Sequence, residues 1–142
     1  MGARKHNTAE NRKEANKKLY FAKLNDCPSS PRKMRLVAEL IRGKNVELAL
    51  NILQHTPNHA SDKLFKLLKS AIANWQQKNE GVRMEDSHLF VKQVMVDEGR
   101  TLKRVQPAPQ GRAHRVRKRS NHVTVIIDSR VQKEEETKVE TK

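Results

Sequence analysis

The chain has 142 residues, and thirty Lys and Arg against sixteen Asp and Glu give it a formal charge of +14, a balance for which nucleic acid is the default partner. A bilayer is the competing anionic partner, but no apolar run nears the roughly 20 residues needed to span one, and no signal-peptide pattern is read at the start. The one cysteine, Cys27, has no second cysteine to pair with, which suits a reducing cytosol.

Residues 1–18 hold Arg4, Lys5, Arg12, Lys13, Lys17 and Lys18 with almost nothing apolar. They read as a basic extension, disordered or weakly helical until bound. A single domain is expected over 19–128. It opens with a short strand, Leu19 to Leu24. Ser30 followed by Pro31 signals a helix start, the serine oxygen capping free N–H groups and the proline suiting the first helical position. Gly43 is the matching stop. Between them Leu36, Val37, Leu40 and Ile41 form an apolar stripe, and Arg32, Lys33, Arg35 and Arg42 lie away from it.

A second helix is predicted from Asn45 to Gln54, on Val46, Ala49, Leu50 and Leu53, with Pro57 closing the segment. A third, from Ser61 to Gln77, carries the broadest apolar set: Leu64, Phe65, Leu67, Leu68, Ala71, Ile72 and Trp75. It should be the centre of the core, with Gly81 breaking it. Leu89 to Val96 and Val123 to Ile127 are rich in β-branched residues and read as the paired base of one long hairpin. Its turn is Pro107 to Gly111, punctuated by two prolines and a glycine. A polar tail follows over 129–142, mildly acidic and disordered from Val131 onward. The expected fold is α+β, three helices on one face of a small antiparallel sheet with a long protruding β-hairpin.

The arm of that hairpin, about 99–121, is the most informative segment. From Gly99 to Ile127 there is no acidic residue and there are eight cations: Arg100, Lys103, Arg104, Arg112, Arg115, Arg117, Lys118 and Arg119. Successive strand residues face opposite sides, so Arg115, Arg117 and Arg119 point one way and Lys118 the other. Neither face can be buried against protein without a large desolvation cost. About ten residues per strand, rising roughly 3.3 Å each, would project the arm on the order of 30 Å. Arginine outnumbers lysine there by six to two, and its planar fork suits phosphate contacts and base stacking in folded RNA.

Other chemistry finds less support. His55 and His59 are four apart, but Pro57 between them breaks the helix that would align them, and no Cys or carboxylate completes a metal set. Cys27 reads as a lone, partly buried thiol. Asp97 and Glu98, adjacent in a strand, face opposite sides and more naturally end the core part of the hairpin or pair with nearby cations. Lys63, Lys66 and Lys78 read as a solvated helix face. No catalytic residue, metal or cofactor is expected. A DNA-binding architectural protein is the rival reading, since an arginine-rich arm can enter a groove, but there is no wedge residue beyond the prolines and no dimer seam. An RNA-processing enzyme would need a catalytic constellation that is not seen.

The motifs name a family. SPRKMRLVAELIRGK, Ser30 to Lys44, resembles the first-helix signature of the bacterial large-subunit ribosomal protein L twenty-two family. LLKSAIANW, Leu67 to Trp75, is similar to its third-helix motif, and VDEGRTLKR with QGRAHRVRKRSNHVTV to its long hairpin. The resemblance implies a body on the outer surface of the large subunit, in the cytoplasm, and a hairpin running through ribosomal RNA to line part of the nascent-peptide exit tunnel. It implies aid to subunit assembly, and as partners ribosomal RNA, neighbouring large-subunit proteins and, transiently, the nascent peptide. No membrane and no homo-oligomer is expected. Carried over by motif, Arg32, Lys33, Arg35, Arg42 and Lys44 would be body contacts to RNA, and the eight arm cations contacts along the hairpin. Leu102, Lys103, Arg104, Gln106, Pro107, Ala108, Pro109, Gln110 and Gly111 would line the tunnel. Many members carry PRARGRA at the turn where this chain has PAPQGRA, two expected charges fewer, while the second proline stiffens the loop.

Overall fold

From Asn121 to Ser129 every second residue is buried, the signature of a strand with one face on a core. This is the lower half of β3 (Ala113–Ser129), the middle strand of a three-stranded antiparallel sheet ordered β1-β3-β2. The computed structural model describes residues 3–17, 19–79, 82–83 and 87–130. β1 (Tyr20–Cys27) pairs Phe21 with Ile126 and Ala22 with Val125. β2 (Leu89–Pro107) pairs Val94 with Val125 on the other side. A register shift between Val91 and Gln93 lets Val91 and Val94, three apart, both face the core.

Among the described residues, four α-helices accompany the sheet. α1 (Ala3–Lys17) buries no residue; α2 (Pro31–Ile41), α3 (Val46–His55) and α4 (His59–Lys78) pack together over the sheet face. The fold is the expected α+β arrangement, and the basic extension, expected disordered or weakly helical, is a regular helix. The core is centred on α4, where Leu64, Leu68, Ala71 and Trp75 are almost wholly buried. Tyr20 meets Trp75 edge to face at 6.4 Å. Gly81, expected to break this helix, lies outside the described residues, as does the tail from Val131; α4 ends at Lys78.

Two expectations for α2 need correction. Its buried stripe is Pro31, Met34, Val37, Ala38 and Ile41, whereas Leu36 (66% exposed) and Leu40 (44%) face outward. Both sets have helical spacing; the sheet chose the one that starts at Pro31 and includes Met34. Ser30 does occupy the capping position with extended backbone, but its side chain makes no capping bond. The Ser30 carbonyl instead accepts the Met34 N–H at 3.1 Å.

Helix side chains seal both edges of the sheet. An edge strand presents unpaired N–H and C=O groups that would template association with another chain. On β2, Arg35 donates from Nε and Nη2 to the Val96 carbonyl (3.3 and 3.0 Å) and Arg42 donates to Val94 O at 3.4 Å. The turn after α2, with Gly43 at φ +74°, exchanges two backbone bonds with Val91, Gly43 N–H to Val91 O and Val91 N–H to Lys44 O, each 2.9 Å. On β1, Asn74 Nδ2 donates to Phe21 O at 3.0 Å, and Lys78 Nζ donates to Lys17 O and Leu19 O. Lys78 is therefore tied to the α1–β1 link, although it is exposed, like Lys66.

The body ends at a second register shift, between Glu98 and Thr101, where Gly99 and Arg100 together oppose Ser120. Ser120 Oγ donates to Arg100 O at 2.6 Å, and a Cβ on Gly99 would lie 2.8 Å from Ser120 Oγ and 3.1 Å from the Ser120 backbone. Beside it Asn121, fully buried, donates from Nδ2 to Ser29 O and Oγ (2.7 and 2.8 Å), tying β3 to the β1–α2 turn. Gly99→Ala is expected to cost about 1–3 kcal/mol, because backbone has to move to admit the methyl group. Urea unfolding should show a lower midpoint at unchanged slope; a midpoint equal to that of the unmodified protein would show that the junction has room for a methyl group.

Candidate nucleic-acid interface

Beyond the bulge the hairpin pairs residue for residue from Thr101↔Arg119 to Pro107↔Ala113. Seven pairs at roughly 3.3 Å give about 23 Å before the tip, shorter than ten residues per strand would make it. Opposed residues share a face. One face carries Lys103, Arg115, Arg117 and Arg119 with Thr101 and Val105; the other carries Lys118 and Arg104 with Leu102, Val116, Gln106 and His114. Charge on both faces is thus the observed arrangement.

From Leu102 to Arg119 nearly every residue is exposed, Val105 at 69%. Lys103 stands directly opposite Arg117, two like charges across a strand pair. Relief comes at the root, where Glu98 Oε2 lies 4.0 Å from Arg119 Nη1, an exposed pair of small worth. Arg104 Nη1 donates to the Lys103 carbonyl at 3.2 Å. The tip is a single turn, Pro109–Gly111, with Ala108 N–H donating to Arg112 O at 2.8 Å. Gln110 sits at φ 62°, ψ 31° and Gly111 at φ 70°. The left-handed region suits glycine and is uncommon for glutamine. Arg112 is the tip's cation.

At the root of the arm a cleft of about 1130 Å³ opens between the β1–α2 turn, the first turns of α2 and α4, and the hairpin. Lys33, Arg100, Lys118 and Arg119 line it against one acid, Asp26; Pro28, Leu36 and Leu102 supply apolar wall. The sequence-predicted cations therefore fall into four groups. Lys33, Arg100, Lys118 and Arg119 meet at the cleft. Lys103, Arg104, Arg112, Arg115 and Arg117 lie along the free arm. Arg35 and Arg42 spend donors on the β2 edge, and Arg42 also pairs with Glu39 at 3.2 Å, while Arg32 and Lys44 are simply exposed.

Leu102, placed with the tunnel-facing set, lies next to the body in the cleft wall. Leu36 and His59 are cleft residues that sequence reasoning assigned elsewhere, and no local signal marked them, because the cleft is assembled from separated segments. Cys27 is buried, its Sγ 3.7 Å from Ser29 Oγ. His55 ends α3 and His59 begins α4.

Against known proteins, residues 22–128 match the family described as ribosomal protein L22p/L17e. The chain belongs to that family. Its relatives include the "Large ribosomal subunit protein uL22" of Flavobacterium johnsoniae, 64% identical over 127 residues, 89% of this chain and 93% of the relative. The protein of the same name from Porphyromonas gingivalis is 58% identical over 129 residues (91% and 96%), and that from Bacteroides thetaiotaomicron 56% over 136 (96% and 99%). Membership makes the chain a structural, non-enzymatic constituent of the large ribosomal subunit, in the cytoplasm on the ribosome.

An isolated ribbon with like charges opposed is marginal in water. In the free protein, amide exchange should be slow in α4 and at Val123–Ile127 and fast from Thr101 to Arg119. Lys103→Glu, which sets opposite charges across the Arg117 pair, should slow exchange along the arm by an amount reflecting roughly 0.2–1 kcal/mol. A well-protected arm in the unmodified free protein would contradict this.

Proposed function

We propose that this protein binds large-subunit ribosomal RNA through its arm and the cationic surface at the arm's root, assists subunit assembly by doing so, and lines part of the nascent-peptide exit tunnel with the end of the hairpin. The observation that carries the reading is a two-stranded arm with cations on both faces and no carboxylate of its own beyond the bulge. An element so charged gains order only when anions surround it, and folded RNA presents phosphates on several sides.

In this reading Lys103, Arg104, Arg112, Arg115, Arg117, Lys118 and Arg119 neutralise phosphates along the arm, Arg115 and Arg117 in paired contacts. Lys33, Arg100, Arg32 and Lys44 hold RNA at the body. Arg35 and Arg42 take a smaller part, because β2 already uses some of their donors. Gln106, Pro107, Ala108, Pro109, Gln110 and Gly111, with Lys103 and Arg104 behind them, face the tunnel and, transiently, the nascent peptide. With one cation at the tip, the wall is presented mainly by rigid, neutral backbone. Neighbouring large-subunit proteins are the expected partners of the remaining body surface.

Binding measurements on large-subunit RNA fragments test the first part. Arg117→Ala should weaken binding more than Lys66→Ala and lower the slope of log affinity against log salt by about 1. Equal losses at the two positions would point to diffuse attraction with no arm site. For the tunnel, deleting Leu102–Arg104 removes an odd number of residues from one strand, so the remaining side chains change faces and the tip shifts. Mutant ribosomes shown to contain the shortened protein should assemble yet respond differently to stalling peptides or tunnel-binding macrolides. Unchanged responses would take the tip off the tunnel wall.

A further inference from the structure

The cleft at the root of the arm joins two features that the free arm keeps apart. Four cations, Lys33, Arg100, Lys118 and Arg119, line it with a single acid, Asp26, and two exposed leucines line it as well, Leu36 (66%) from α2 and Leu102 (46%) from β2. Double-helical RNA offers phosphates to the cations but keeps its base faces stacked inside, which would leave both leucines wet. An unpaired nucleotide offers a phosphate and an apolar base face at once. The cleft's volume, about 1130 Å³, slightly exceeds that of a typical small-ligand pocket and leaves room for more than one nucleotide.

We infer that this cleft is a binding site for an unpaired segment of ribosomal RNA, with at least one base lodged between Leu36 and Leu102 and its flanking phosphates held by Lys33, Arg100 and Lys118. The inference rests on the RNA-binding reading above and specifies the RNA class this part of the surface takes. His59 at the start of α4 lines the cleft and has an imidazole ring for stacking. The walls are firm: Asn121 and Ser29 hold one side, and the Ser120 to Arg100 bond holds the other.

The test uses the full chain with a fluorescent single-stranded oligoribonucleotide of mixed sequence and a duplex of equal length. The single strand should bind more tightly. Leu36→Ala and Leu102→Ala should each lose about fivefold in affinity for it, with the salt slope unchanged. Leu48→Ala, an exposed leucine of α3 outside the cleft, should behave as the unmodified protein. A photo-crosslinking residue at position 36 in reconstituted large subunits should attach to the base of an unpaired nucleotide. Equal affinity for strand and duplex with indifferent leucine variants would overturn the site while leaving RNA binding intact, as would crosslinking to a neighbouring protein. Binding of neither RNA would remove the broader reading together with this one.

Discussion

Everything in this molecule hangs on β3 having two neighbours for half its length and one for the rest. Up to Asn121 it is paired by β1 and β2 and covered by the helices. β1 then ends at Cys27, the core ends with it, and β3 continues with β2 alone. A strand pair leaving a core has no packing to fix its direction, so local contacts have to. They gather at the exit: the Asn121 bonds to Ser29, the Ser120 bond to Arg100, the close approach at Gly99, and the Arg35 clamp on Val96. The cations of the arm are thereby aimed by contacts none of which is an ion pair, and salt does not weaken these as it weakens exposed ion pairs.

The same economy shapes the sheet edges. Three strands leave two open edges, each a template for pairing with another chain. Arginine, asparagine and lysine side chains from α2 and α4 satisfy edge carbonyls on both sides. Long cationic side chains are suited to this, because their stems lie along apolar surface while their heads reach outward. Charge on α2 thus has two jobs: Lys33 belongs to the cleft, and Arg35 and Arg42 belong to the architecture.

Much of this was legible in the sequence because the signals are local. Pro31 and Gly43 punctuate α2, β-branched runs mark the hairpin base, and the Pro107–Gly111 turn chemistry coincides with the observed tip. What was not legible depends on partners distant in the chain. Leu36 and Leu40 have the same spacing as Met34, Val37 and Ile41, and only the sheet decides between the two sets. Arg35 and Arg42 look like every other cation until β2 lies beside them, 61 and 52 residues further on. For the site, the sequence announced the arm's charge but not the cleft, since its walls come from four separated segments. The left-handed Gln110 was equally hidden, glutamine being no usual marker of that conformation.

The bulge at Gly99 and Arg100 also has a meaning for how such a chain can vary. Because it takes up one extra residue where the core stops, the pairing of the body and the pairing of the arm are two ladders joined by a slip. A matched insertion or loss beyond the slip alters reach without touching the alternation that buries Val123, Val125 and Ile127. Reach and stability are thus separate variables, so the arm can lengthen or shorten while the core keeps its composition.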